Sequence, residues 1–312
     1  IINKFAGSGR ALKVFKQLSQ TDLYQEQDCS PYFTKYPGHA EILTAELVRA
    51  DRRNITAFVV IGGDGTVHEV LNGLKEYTEI PLSFIPAGSG NDFARGYGIK
   101  GKPLDIFKKI IINKQGNIFW PGIFSTSDSS TDKATKLFAN SIGFGFDAEI
   151  AKVANQSRYK YLLNKWRIGS LSYVLALLQV LKSFKPKTVQ LTLDGNKEVF
   201  ENVWMVTIAN HPYYGGGMKI LPQANNTSSQ LSVLVIRKIA KWKVLLLFIT
   251  VFVGKHTQLK EVTVYQAKNI TVTANESLNY QVDGQQGTCL VCNIHKQMNP
   301  RLVIGTVKKE IP

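Results

Sequence analysis

The residues best suited to chemistry in this chain of 312 residues are Gly62-Gly63-Asp64-Gly65-Thr66, set between an apolar, β-branched run and an apolar-periodic helix. Glycines at such a strand-to-helix turn let backbone N–H groups approach an anion, and the helix amino terminus adds partial positive charge. A carboxylate there, Asp64, can hold a metal ion or order the water that links metal to phosphate. A tight turn whose aspartate only caps the helix uses the same residues, and this stretch alone does not separate the two. A second turn, Gly88-Ser89-Gly90-Asn91-Asp92, follows the next strand. Ser89 and Asn91 can bond phosphate or ribose, and Asp92 offers a second carboxylate. Asn3-Lys4-Phe5-Ala6-Gly7-Ser8-Gly9 supplies a third glycine-bearing loop. Ligands of an open parallel sheet lie outside the carboxyl ends of its strands, so three such loops on one edge point to a nucleotide. The pattern is neither a Walker A loop nor a Rossmann fingerprint.

The elements that must position these loops read as alternating strand and helix. Ile55 to Ile61 is a buried strand, and the helix after it carries Val67, Val70, Leu71 and Leu74 on one stripe. Ile80 to Pro86 is a second strand, and Pro103 opens a helix with Leu104, Phe107 and Ile111 inward. Ile1–Asn3 reads as the end of a strand leading into a helix from Arg10; with no Met at its start, part of that strand is expected to precede the numbering. Past about residue 115 the pattern becomes short strands: 136–142, 187–193, 199–210, 230–237, 261–265, 269–274, 278–282 and 288–295. Helical insertions fall around 146–183 and 240–254, and Ser125–Lys133 and Asn225–Ser229 read as loops. The expected fold is an open α/β nucleotide-binding domain followed by a mainly antiparallel β-sandwich or barrel with helical insertions.

With 38 Lys+Arg against 23 Asp+Glu the formal charge is +15, and 44% apolar residues suffice for a sizeable core, which excludes disorder. Three cysteines and no visible amino-terminal signal pattern argue against a disulfide-built secreted fold, so a cytosolic chain is expected. The apolar run Val244–Val253 is far short of the roughly 20 residues a membrane span needs. The stretches between Glu149 and Asp194 and between Glu201 and Glu261 hold no acid, so the positive excess belongs to the second half. They carry no RNP, KH, zinc-finger or helix-turn-helix signature, which leaves nucleic acid unsupported. Tyr159–Phe184 and Trp242–His256 mix leucines and aromatics with bases, which suits docking on an anionic membrane surface as well as ordinary core packing. Cys289 and Cys292, three apart on a strand, are expected on opposite faces as buried apolar residues. His68, in the helix after the first glycine turn, is read as facing the ligand or solvent.

Taken together, N-K-F-A-G-S-G at 3–9, T-K-Y-P-G-H-A at 34–40, G-G-D-G-T-V-H-E-V-L-N-G at 62–73 and P-A-G-S-G-N-D-F-A-R at 86–95 resemble the bacterial diacylglycerol kinase and lipid kinase family. N-S-I-G-F-G-F-D-A at 140–148 and V-D-G at 282–284 extend the resemblance along nearly the whole chain. G-G-D-G-T is shared with NAD kinases, a distant alternative, whereas G-S-G-N-D-F-A-R points to the lipid branch. The resemblance implies an ATP site formed by Asn3, Lys4, Phe5, Ala6, Gly7, Thr34, Gly62, Gly63, Asp64, Gly65, Thr66, Val67, His68, Glu69, Ser89 and Asn91, with Asp64 and Asp92 around Mg²⁺. It also implies that the final strand, Leu302–Val307, returns to the first domain, giving domains of 1–115 with about 297–312, and 116–296.

Three positions depart from the family pattern. The catalytic base, a Glu directly after V-D-G, is Gln285 here; an Asp expected near Trp120 is missing; and a structural metal loop that usually contains Asp-Gly is Asn225-Asn226-Thr227-Ser228-Ser229-Gln230. An amide orients a hydroxyl but cannot take its proton, which leaves Asp283 or Glu276 as substitute bases. The expectation is an ATP- and Mg²⁺-dependent lipid kinase, slowed by Gln285, acting on diacylglycerol or a related lipid at the inner membrane face. The alternative is a catalytically impaired nucleotide- or lipid-binding protein of the same fold. A homodimer is left open.

Overall fold

A computed structural model describes residues 1–113, 116–127, 135–156 and 169–306. The chain divides into two compact units: Ile1–Pro121 with Gly215–Gly217 and Gln297–Pro312, and Gly122–Tyr214 with Met218–Lys296.

The first unit is built on a four-stranded sheet. Its strands β1 (Phe58–Gly62), β2 (Leu82–Pro86), β15 (Arg301–Ile304) and β3 (Gly116–Phe119) lie in that order. β1, β2 and β15 run parallel, and β3 pairs antiparallel with β15. Ile2 makes parallel bridges to Ile61 and Phe33, so the amino-terminal segment enters beside β1. Helices α1 (Ala6–Ser19), α2 (Asp22–Gln25), α3 (His39–Asp51), α4 (Asp64–Gly73), α5 (Asp92–Tyr97) and α6 (Pro103–Asn113) fill the connections. Regular helix in α1 starts at Arg10, because Gly7, Ser8 and Gly9 have φ of 59°, 57° and 87°. The α4 stripe Val67, Val70, Leu71 and Leu74 is fully buried, as its spacing predicts. In α6 the phase differs from the expected one: Ile106, Phe107 and Ile110 are buried, while Leu104 and Ile111 are half-buried. Six large apolar residues in an eleven-residue helix offered two overlapping stripes, and tertiary packing chose between them. The final strand does join this unit; it spans Arg301–Ile304, and Val307 lies outside the described residues.

The second unit is a nine-stranded, antiparallel arrangement. Its strands are β4 (Gly122–Ser127), β5 (Thr135–Phe138), β6 (Ser141–Gly145), β7 (Lys187–Leu193), β8 (Asn196–Ala209), β11 (Leu231–Arg237), β12 (Val262–Ala267), β13 (Asn269–Val282) and β14 (Gln285–Lys296). The order is β12-β11-β8-β6-β13-β14-β4-β5, β7 joins β8 to β13 a second time, and β9 (Tyr213–Tyr214) pairs with β10 (Met218–Lys219) in a separate ribbon. The 14-residue strands β8 and β13 thus change partner along their length, from β7 to β6, which folds the sheet into two layers. Phe138, Ile142, Phe200, Val233, Val272 and Ile294 pack between them. A second cluster, with Phe146, Trp204, Leu234 and Leu247, lies under α7 (Phe146–Gln156), α8 (Gly169–Ser183) and α9 (Lys241–Thr250). Residues 157–168 of the expected helical insertion lie outside the described residues.

Several sequence expectations change here. The β-rich unit begins at Gly122 rather than 116, because β3 bonds β15 in the first sheet. Ser125–Ser127, read as loop, finish β4 against Val291–Asn293, and 128–134 lie outside the described residues. Segments 269–274 and 278–282 are one strand, β13, with a register shift between Thr273 and Leu278. That shift faces Cys289–Val291, so both Cys289 and Cys292 turn into the same core instead of opposite faces. The hydrogen bond the Cys292 thiol donates to Cys289 and burial together raise its pKa, as befits an inert packed pair.

Candidate active site

The site is built where three loops of the first unit are tied to one another. β1 ends at Gly62, whose carbonyl accepts from Ala87 N at 2.7 Å, so the loops after β1 and β2 run side by side. Their contact is backbone on backbone. A Cβ on Gly88 would fall 2.5 Å from Gly63 Cα, and a Cβ on Gly7 would fall 2.1 Å from Ala87 O. The amino-terminal loop is held from two sides. Asn3 Nδ2 donates to Thr66 Oγ1 at 3.1 Å while Asn3 Oδ1 accepts from Phe5 N at 3.2 Å. Arg10 Nε donates to Ala87 O at 3.0 Å, and its Nη2 donates to Gly88 O. Arg10 was not singled out from the sequence; its place one residue after G-S-G is the signal that could have found it.

Asp64 stands in the first turn of α4, but it is not the cap. Gly63 holds that position with no side-chain cap bond, and Asp64 Oδ1 accepts from Phe93 N at 2.9 Å. Its Oδ2 packs on Gly90, 3.0 Å from where a Cβ would stand. The aspartate therefore joins the turn after β1 to the start of α5 and does not hold the N-cap position of α4. Asn91, at φ 58°, closes the second turn on itself: Oδ1 accepts from Gly88 N and Nδ2 donates to Gly88 O, each at 2.9 Å. Ser89 is left exposed at its tip.

Asp92 is buried. Its Oδ1 takes Arg95 Nη1 at 2.9 Å, and its Oδ2 takes Gly216 N at 2.7 Å. Burial raises its pKa above the ordinary aspartate value, against the pull of those two donors. Gly215, Gly216 and Gly217 all have positive φ (57°, 89° and 108°), a path only glycine follows easily. This G-G-G segment escaped the sequence reading because its partner lies 124 residues away.

Not every predicted residue faces this cluster. Val67 and His68 are fully buried, and the His68 ring meets Asn72 Nδ2 at 3.3 Å. The reading of His68 as facing ligand or solvent is corrected: it is a core residue. Glu69 accepts from Gly38 N and Ala40 N at 2.9 and 3.0 Å, so it fixes the amino terminus of α3. Thr34 is buried, its N–H bonded to Ile2 O, and Lys4 and Phe5 are exposed, the ammonium 5.1 Å from the ring centroid. Gly65 is half-buried, with open space where a Cβ would stand.

In the second unit, Asp283 and Gly284 form the two-residue turn between β13 and β14, at φ 48° and 91°. Asp283 accepts from Ala139, Asn140 and Ser141 N–H at 2.7, 2.9 and 3.2 Å. Three backbone donors on one buried carboxylate make it a fixture of the β5–β6 turn, so the expectation that it replaces the base is corrected. Glu276 pairs with Lys187 at 3.6 Å on an exposed edge and is no better placed. Gln285 opens β14, half-buried. The motif block 140–148 hides a further acid, Asp147, whose Oδ2 is met by Tyr214 Oη at 3.4 Å and Gln281 Nε2 at 3.5 Å. It lies against Gly143, and burial pushes its pKa up to about 6. Asp147 is on the wall of an apolar cavity of about 60 Å³ that also touches Trp204, Met218 and Leu247.

Comparison with known proteins agrees with this assembly. The diacylglycerol kinase catalytic domain family matches residues 1–118, and the YegS C-terminal NAD kinase beta sandwich-like domain family matches residues 140–303. YtlR of Bacillus subtilis (strain 168), which carries a provisional lipid kinase name, is 34% identical over 91% of this chain and 92% of its own. The diacylglycerol kinase of Mycobacterium tuberculosis (strain ATCC 25618 / H37Rv) is 31% identical over 76% of this chain and 73% of its own. The crystal structure of a diacylglycerol kinase from Bacillus anthracis str. Sterne shares the fold, with a TM-score of 0.67 over 98% of this chain and 96% of that one at 20% identity. An α/β unit with cross-tied glycine loops, joined to a β-sandwich-like unit, places the chain in the diacylglycerol kinase family of lipid kinases.

Proposed function

We propose that the protein transfers the γ-phosphoryl group of ATP to the hydroxyl of diacylglycerol or a related lipid, with Mg²⁺, while docked peripherally at the inner membrane face. The observation that carries the reading is the cross-tying of three glycine loops around Asp64, with Ser89 exposed at the tip. Phosphoryl transfer depends mainly on positioning and charge stabilisation, and loops held backbone to backbone supply the positioning. Asp64 and Asp92 bring hard oxygen donors, the type that suits Mg²⁺. Bound there, the ion would neutralise charge on the β- and γ-phosphates. Arg10 acts on the loops rather than on phosphate, because its guanidinium is engaged with Ala87 and Gly88 carbonyls.

Gln285 orients the acceptor hydroxyl without deprotonating it. Loss of a general base slows such a reaction about 10²–10⁴-fold, so a slow kinase results. The locked state of Asp283 favours a second reading, a nucleotide- and lipid-binding protein without useful turnover. Radiolabelled transfer from ATP to a lipid panel separates the two. The kinase reading expects measurable transfer, loss of it in Asp64→Ala, and a gain of about tenfold or more in Gln285→Glu. ATP binding with no transfer to any lipid, even in Gln285→Glu, sinks the kinase and leaves the binding protein.

A further inference from the structure

The loop 225–230 stands where the family resemblance implies a structural metal, and its chemistry does not fit one. Divalent hard cations take several oxygen ligands, normally including carboxylates. Asn225-Asn226-Thr227-Ser228-Ser229-Gln230 contains none. The side chains of Asn225, Thr227 and Ser228 are turned to the loop itself: Asn225 Oδ1 accepts from Thr227 N at 3.0 Å and from Thr227 Oγ1 at 2.8 Å, and Ser228 Oγ accepts from Gln230 N at 3.1 Å. The loop carbonyls are instead met by an ammonium. Lys296 Nζ donates to Ser228 O at 2.5 Å and to Asn225 O at 3.4 Å.

We infer that Lys296 is the resident cation of this loop, a covalently attached positive charge in the role a bound metal would fill, and that the loop takes no divalent ion. Lys296 is the last residue of β14, while the loop leads into β11. β8, β6 and β13 separate those strands in the sheet, so the ammonium ties two elements that no ladder joins. An ion entering the loop would meet neutral carbonyls and a lysine already bonded to them, and would have to strip its own water for that exchange. Burial holds the Lys296 pKa down to about 8, in keeping with a lysine drawn into the fold rather than left in solvent. The inference is independent of the kinase reading, since it concerns the order of a loop and not transfer.

Hydrogen exchange of peptides spanning 222–233, in the full chain without nucleotide, tests it. In the wild type, exchange in EDTA, in MgCl₂ and in CaCl₂ is expected to agree within about twofold. Lys296→Met is expected to raise the rate in this segment about tenfold or more, the loss of a charge-assisted hydrogen-bonded tether, and Lys296→Arg to retain most of the protection. Slower exchange of the wild-type segment on adding either ion overturns the inference, and so does wild-type protection in Lys296→Met. Should Lys296→Met fail to fold, the wild-type ion series alone still decides. An ion bound near Asp64 would alter peptides around 62–66 and leave this segment unchanged.

Discussion

Asp147 keeps its proton longer than an ordinary aspartate because its surroundings solvate charge poorly. With a pKa of about 6 in the folded chain against 3.8, the folded state holds the proton through a window in which the unfolded state has released it. Stability from this group is therefore full below about pH 4 and falls as pH rises through 6, reaching a cost of about 3 kcal/mol above that window. Asp147→Asn cannot ionise. Its stability relative to wild type is expected to improve from pH 5 to pH 7.5, read by chemical denaturation at each pH, and parallel curves would contradict the burial argument. At this scale the sequence was partly legible. Asp64 was found because strand, glycines and helix surround it within a dozen residues. The Gly216 donor to Asp92 and the three donors to Asp283 lie more than a hundred residues away, where spacing carries no signal.

Among the elements, the two glycine turns are the ones whose sequence admits least change. Gly88 has no room for a methyl group, since the obstacle is the Gly63 backbone and not a side chain that could swing aside. Gly88→Ala is expected to cost about 1–3 kcal/mol and to weaken ATP binding at least about tenfold by parting the loops. Gly65→Ala, with open space at the same distance, serves as the control and should melt close to wild type. Calorimetric titration with ATP and thermal melting read both variants. Unbroken apolar runs revealed β1 and β2, which are buried along nearly their whole length, and periodicity revealed α4, which buries one clear stripe. It missed β3 and the end of β4, which are short and half polar and exist only because β15 and β14 offer them a ladder.

For the molecule as a whole, the charge excess of +15 acquires a location. No helix among the described residues is long and apolar enough to cross a membrane. Yet Trp242, Leu246, Ile249, Phe252 and Val253 are exposed on α9 and the turn after it, between 46% and 69%. Lys238, Lys241 and Lys255 are exposed nearby in sequence, whereas Lys243 is paired with Glu261 at 2.6 Å and adds little free charge. Vesicles rich in phosphatidylglycerol are expected to sediment the protein, with binding that falls about tenfold or more between 50 and 200 mM salt or in Trp242→Ala/Ile249→Ala. Equal binding to neutral vesicles at all salt concentrations would remove the electrostatic part. The basic stretches were visible in the sequence, but which of their lysines are neutralised was not, because Glu261 sits 18 residues from its partner.

The position of β15 between β2 and β3 has a consequence for how the protein is made. Arg301 of that strand is buried and bonds the carbonyls of Leu74, Lys75 and Tyr77, so it also closes the end of α4. Ribosomes deliver β2 and β3 first and then the entire second unit. At roughly 5–20 residues per second, an inner edge of the first sheet waits on the order of ten to forty seconds for its missing strand. An unpaired strand edge is a template for other chains during that interval. The glycine loops, which hang from β1 and β2, are thus assembled on a sheet that remains unfinished until the entire second unit has been translated.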